Sequence, residues 1–167
     1  GRGKTSLAEE FAQRAIQQHA ELLVIWSACS AFQNIGDPFL VWRDTLRMLF
    51  GDVERLWLAG AIQHKHALRL WHSLPFTIQA LLDNAPDLCQ TLLRGIPLSS
   101  LYAAHAQANN DRIQQLLALE KRPALTDLHA QRVADHCTQL LQAISRQQPI
   151  LIFLDDLHWA DRPSISL

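Results

Sequence analysis

The chain has no stretch approaching the ~18 consecutive apolar residues that a membrane-spanning helix needs. No run of Lys or Arg advertises a nucleic-acid surface, and the net charge is −1. No signal peptide is visible at the start, where a truncation would also have removed one. Cysteine is scarce: Cys29, Cys89 and Cys137 are odd in number, far apart and without C-x-x-C spacing. That pattern argues against a disulfide scaffold and reads as reduced, mostly buried thiols of a cytoplasmic protein. What is present is a globular composition, 49% hydrophobic and 19% charged over 167 residues. That is enough for one sizeable domain with its own core.

A more specific absence lies at the N-terminus. Gly1-Arg2-Gly3-Lys4-Thr5 matches the end of the phosphate-binding pattern G-x-x-x-x-G-K-[ST] but lacks its beginning. The first glycine and the strand that should lead into it are missing, so a chain cut inside the motif is expected. Glycines let backbone N–H groups approach phosphate oxygens closely. A helix starting at Lys4 or Thr5 adds the positive end of its dipole. Lys4 would reach the β- and γ-phosphates of ATP, and the Thr5 hydroxyl would ligate Mg2+. Gly1, Arg2, Gly3, Lys4, Thr5 and Ser6 are the candidate nucleotide-binding residues. Leu7, Ala8, Phe11, Ala12, Ala15 and Ile16 then recur at helical spacing. Leu22 to Trp26 is a continuous apolar run that suits a strand buried on both faces of a parallel sheet.

The middle of the chain reads as helical. Gly36-Asp37-Pro38 breaks the chain, and Phe39, Trp42, Leu46, Leu49 and Phe50 mark one helix face that Gly51-Asp52 ends. Short helices are expected from Val53 to Glu120, punctuated by Pro75, Pro86 and Pro97, with Asn109-Asn110-Asp111 as a loop or cap and no internal repeat. A longer helix is expected from Thr126 to Arg146, with Thr126 or Asp127 at its start.

The run from Ile150 to Leu154 ends in Asp155-Asp156, the form of a Walker B strand. Ligands of open α/β sheets bind at the carboxyl edge of such strands. Asp155 is the candidate Mg2+ ligand, acting through water, and Asp156 the candidate catalytic residue that orients or deprotonates the attacking water. Strands near 22–27 and 150–154 should be parallel and close. They need not pair directly, because proteins of this kind commonly place the Walker B strand near the loop strand, which is missing here. About 120 residues separate them, well beyond a simple crossover, so a helical insertion must intervene.

The string "LDDLHWAD", Leu154 to Asp161, resembles the STAND class of P-loop ATPases within the AAA superfamily. Related modules occur in LuxR-type transcriptional regulators and beside adenylate or guanylate cyclase and kinase domains. "GDPFLVWRDTLRML", Gly36 to Leu49, is similar to that family's proline-aromatic segment, and the long helix before Pro149 also fits. The resemblance implies a partial α/β P-loop NTPase, a three-layer sandwich with a large helical insertion at about 53–120, and Walker A and Walker B ends at 1–6 and 150–156. It implies an ATP-binding, ATP-hydrolysing regulatory domain that works with other domains of a longer parent and with nucleotide-dependent self-association. The missing strands imply that the fragment alone is inactive and poorly packed. The alternatives are a non-catalytic helical interaction module with degenerate nucleotide binding, and an origin-recognition-type DNA-associated ATPase. Near-neutral charge argues against direct nucleic-acid contact by this segment.

Other residues read as structural. His64, His66 and His72 are taken as helical surface histidines because no acidic or cysteine partner stands at ligand spacing, and His129 and His136 likewise. The tryptophans read as core and interface residues. Arg43 reads as a solvated helix arginine. His158 and Trp159 belong to the family string, but their residue types assign neither a chemical role.

Overall fold

A computed structural model describes residues 3–29, 39–51, 53–106, 109–123 and 130–165. The expected turn at Gly36-Asp37-Pro38, Asp52, and the helix start around Thr126, Asp127, Leu128 and His129 lie outside the described residues.

Helix α1 spans Lys4–Gln18. No glycine or proline interrupts it, and Arg14 pairs with Glu10 one turn back at 2.8 Å. Its C-terminal carbonyls are met from a distant element. The Arg69 guanidinium donates to the Ile16 carbonyl at 2.7 Å and the His19 carbonyl at 3.0 Å. This satisfies acceptors that a helix end leaves open and places a cation at the negative end of its dipole.

Strand β1, Leu23–Ala28, pairs in parallel with β2, Ile150–Asp155. The register runs from Leu23↔Ile150 to Ala28↔Asp155. The strands are therefore parallel and close, as expected, and among the described residues they are direct neighbours, which settles the pairing left open by the sequence. Alternation sends their side chains to two faces. Leu23, Ile25, Ile150, Ile152 and Leu154 join the main core, while Val24, Leu151 and Phe153 pack with Ala12, Ala15 and Ile16 of α1. Burial on both faces holds for the first half of β1 only; β2 is half-buried throughout. Among the described residues β2 has one strand neighbour, and α1 covers it thinly, with Leu7 71% and Phe11 57% exposed. Phe11 meets Phe153 edge-on at 6.3 Å, and Phe153 stacks on its register partner Trp26 at 4.8 Å.

The residues between the strands form α2 (Leu40–Phe50), α3 (Val53–Leu58), α4 (His64–Asn84), a 3-10 turn (Pro86–Gln90), α5 (Leu98–His105), α6 (Asn110–Glu120) and α7 (Ala130–Ser145). A second 3-10 turn (Leu157–Trp159) and α8 (Arg162–Ile165) follow β2. The whole is a helix-rich α/β fold with a small parallel sheet. Gly51 ends α2 through close packing, since a Cβ there would lie 2.8 Å from Ile96 Cγ2. Asn109 caps α6, accepting from the Asp111 and Arg112 amides at 3.1 and 3.4 Å. Val133, Cys137, Leu140 and Ile144 form the buried stripe of α7. All three cysteines are free and buried.

Pro75 departs from expectation. It sits inside α4, which continues through it to Asn84. An internal proline costs a helix about 3 kcal/mol, but Leu70, Leu74, Ile78 and Leu81 are all essentially fully buried along this helix. Each such side chain contributes about 1.5–3 kcal/mol, so packing overrides the break. Pro86 and Pro97 do mark boundaries, at the start of the 3-10 turn and just before α5.

His66 is a second correction: it is buried, whereas His64 and His72 are exposed as expected. Its Nε2 has no partner. Burial lowers its pKa below 6.5; the Val24 backbone opposes this and the Arg69 charge reinforces it. The unfolded chain therefore takes up this proton first as pH falls. The contribution of neutral His66 is complete above about pH 6.5 and is lost as pH drops through the folded-state pKa. Urea unfolding at about pH 7.5 and 5.5 should show lower stability at the acid value, and His66→Gln should reduce that difference.

Candidate functional site

The N-terminus of α1 and the C-terminal end of β2 meet. Thr5 Oγ1 donates a 2.8 Å hydrogen bond to Asp155 Oδ2 across 150 residues of sequence. The other carboxylate oxygen, Asp155 Oδ1, accepts from the Asp156 amide at 2.9 Å. The Asp155 carbonyl accepts from the Cys29 amide at 3.0 Å, which ties the ends of both strands together. Asp156 then adopts a left-handed conformation, φ 54°, which aspartate tolerates better than most residues. Its carbonyl accepts from the Trp159 amide at 2.9 Å and starts the 3-10 turn. His158 Nδ1 lies 3.8 Å from Asp156 Oδ1, and the His158 and Trp159 rings are 5.0 Å apart.

Gly3, Lys4, Thr5 and Ser6 lie exposed at the start of α1. Gly1 and Arg2 fall outside the described residues. The helix begins without a side-chain cap, and its first internal bond runs from the Leu7 amide to the Gly3 carbonyl at 3.0 Å. The amides ahead of Leu7 have no intrahelical acceptor. A Cβ at Gly3 would meet nothing within 4 Å, so neighbouring atoms do not demand glycine there. The arrangement brings Thr5 to Asp155 and Asp156 beside it. Hydroxyl and carboxylate are the hard oxygen donors that magnesium takes.

The family profile of the AAA ATPase domain matches residues 1–167. The chain belongs to this family. No curated protein and no solved structure matches it. Among the described residues of this AAA ATPase domain, no helix is long and apolar enough to cross a membrane.

Sequence reasoning passed over a further residue of this AAA ATPase domain, Asp161. Asp161 Oδ2 accepts from the Phe39 amide at 2.8 Å, and Oδ1 accepts from the Ser164 amide at 2.6 Å. Trp42 Nε1 donates to the Ser164 carbonyl at 2.8 Å. One carboxylate therefore joins the start of α2 to α8. Phe39 is itself left-handed, φ 65°, and buried, a costly conformation held by its ring packing and by Asp161. Cys29 belongs to the same neighbourhood: burial raises its thiol pKa, and the Asp161 and Asp156 charges raise it further. The available signal was that both aromatic residues and Asp161 stand in the two segments resembling the STAND class. Arg43 is half-buried on α2, more enclosed than a solvated arginine.

Asp161→Ala leaves the Phe39 and Ser164 amides without their acceptor. It should lower stability by about 2–4 kcal/mol, from a loss of ~1–2 kcal/mol at each site. Asp161→Asn keeps one acceptor oxygen and should fall between it and the parent in thermal melts.

Proposed function

We propose that this AAA ATPase domain binds ATP with magnesium between the N-terminus of α1 and the Asp155-Asp156 end of β2, and hydrolyses it as a regulatory switch of the STAND type. The 2.8 Å contact between Thr5 and Asp155 carries this reading. It joins the two sequence motifs at one point, with an uncapped helix N-terminus beside them. Family membership supports nucleotide binding in general. The open space at Gly3 supports close backbone approach by a phosphate, since packing supplies no other reason for a glycine.

Gly1, Arg2, Gly3 and Ser6 contribute backbone to the phosphate cradle, and Lys4 holds the β/γ-phosphate charge. Thr5 and Asp155 hold magnesium, which neutralises phosphate charge when bound. Asp156 orients the attacking water or accepts its proton. The short link from Asp156 to His158 lets the next turn sense the γ-phosphate side of the site. Residues 1–167 act as one domain with helices inserted between its strands. ATP/ADP exchange biases attached domains between resting and signalling arrangements.

Three variants separate binding, metal and chemistry. Lys4→Ala should weaken ATP binding about 10–100-fold, the loss of a charge-assisted contact. Asp155→Asn should remove the magnesium dependence of binding. Asp156→Asn should retain ATP binding and reduce hydrolysis by about 10²–10³-fold. Calorimetric titration and phosphate release measure these quantities. Normal hydrolysis by Asp156→Asn would move the base to another residue, and unchanged ATP binding by Lys4→Ala would remove the phosphate-loop assignment. The helical-interaction reading predicts no difference among the three.

A further inference from the structure

Helix α1 carries Thr5 to Asp155, yet packing fastens little of it. Of its 15 residues only Ala12 is buried, with Ala15 and Ile16 partly buried beside it. Toward the N-terminus Leu7 and Phe11 are exposed, and Phe11 adds only an edge-on contact with Phe153 at 6.3 Å. The apolar hold is thus concentrated in the second half of the helix, and the first half acts as a lever.

The angle of a helix held this way is set by polar contacts at its ends. At the N-terminus stands the bond from Thr5 to Asp155. At the C-terminus stands Arg69, which comes from α4. Its Nη2 donates to the Ile16 carbonyl at 2.7 Å, and its Nη1 to the His19 carbonyl at 3.0 Å and, longer, to the Leu22 carbonyl at 3.5 Å. One planar guanidinium therefore spans the turn from α1 into β1. Its base is firm, since Ala67 and Leu70 are fully buried on either side and His66 is 5% exposed. Gln148 holds the same turn at another point, donating to the Glu21 carbonyl at 2.6 Å, beyond the end of the helix.

We propose that Arg69 is a positioning residue for the nucleotide site, through which the inserted helices set the angle of α1 and with it the affinity for magnesium–nucleotide. The inference rests on the nucleotide reading of that site. Thr5 lies two turns ahead of Ala12, about 10 Å along the axis. A tilt of about 10° around the Ala12 contact moves Thr5 by ~2 Å, enough to break its bond to Asp155. Displacements of this size weigh heavily where reacting groups must be aligned. Movement of α4 is therefore felt at Thr5, although Arg69 grips the opposite end of the helix. The coupling runs both ways: a ligand that fixes the N-terminus of α1 also favours the Arg69 contacts.

The experiment compares the parent with Arg69→Ala and Arg69→Lys. In the nucleotide-free, ¹⁵N-labelled protein, the amide shifts of Thr5 and Asp156 should move in Arg69→Ala. They should move less in Arg69→Lys, which keeps the charge and one point of contact. Magnesium–ATP affinity, measured by calorimetry well below the melting temperature, should fall about 5–30-fold in Arg69→Ala and recover in part in Arg69→Lys. In a Thr5→Val background Arg69→Ala should cost no more than about twofold, because the contact it secures is already gone. Arg112→Ala removes a 3.0 Å pair with Asp83 between α6 and α4 that does not reach α1, and should leave both readouts at parent values. A lower melting temperature in Arg69→Ala with unmoved Thr5 and Asp156 shifts and parent affinity would make Arg69 merely structural and overturn the proposal. Equal losses from Arg69→Ala in both backgrounds would overturn it too. A parent that binds no magnesium–ATP would overturn the nucleotide reading instead, and the nucleotide-free shifts would then decide the coupling. Arg69→Lys carries the same comparisons where Arg69→Ala does not fold.

Discussion

The parallel pairing of β1 with β2 is the constraint on which the rest depends. It joins segments about 120 residues apart in the chain, and its register sets everything at the carboxyl edge. With Ala28 opposite Asp155, the Cys29 amide holds the Asp155 carbonyl and the Asp155 carboxylate faces Thr5. A slip of one residue would exchange the faces of β2. Ile150, Ile152 and Leu154 would turn toward α1, and Phe153 would enter the main core. The hydrophobic pattern therefore selects the register, and the register places the acidic pair.

The edge is held from behind as well. Asp161 spans from the α2 start to the α8 start, and Trp42 closes the same junction through the Ser164 carbonyl. Two non-glycine residues, Phe39 and Asp156, sit in left-handed conformations there. Strain of this kind persists only where surrounding contacts determine it. Arg69 fixes the far end of α1, so the helix that carries Thr5 is tied to the helical segment at its C-terminus. Both ends of α1 are thus held by residues remote in sequence.

Local rules were legible in the sequence. The helical spacing after Gly3, the apolar runs of both strands, the Asn109 cap and the long helix before Pro149 all appear where periodicity and turn chemistry place them. Tertiary facts were less legible. Pro75 lies inside a helix because burial of the surrounding leucines outweighs a local penalty that sequence alone makes look decisive. His66 is buried for the same reason, since its position on the apolar side of α4 outranks its residue type. The direct pairing of the strands could not be read from either strand, because each carries an apolar run that would suit several neighbours. The bridging role of Asp161 needed Phe39, 122 residues earlier, to be brought beside it.

The central claim is that Thr5 and Asp155 act as one ligand set for magnesium–nucleotide. A double-mutant cycle on the affinity for magnesium–ATP, measured by calorimetry with Thr5→Val, Asp155→Ala and the double variant, tests it most directly. Residues that share one site couple by about 0.5–3 kcal/mol. The account predicts that each single variant weakens binding and that the double variant is little worse than the poorer single. Strictly additive losses, or no loss from either substitution, would contradict it.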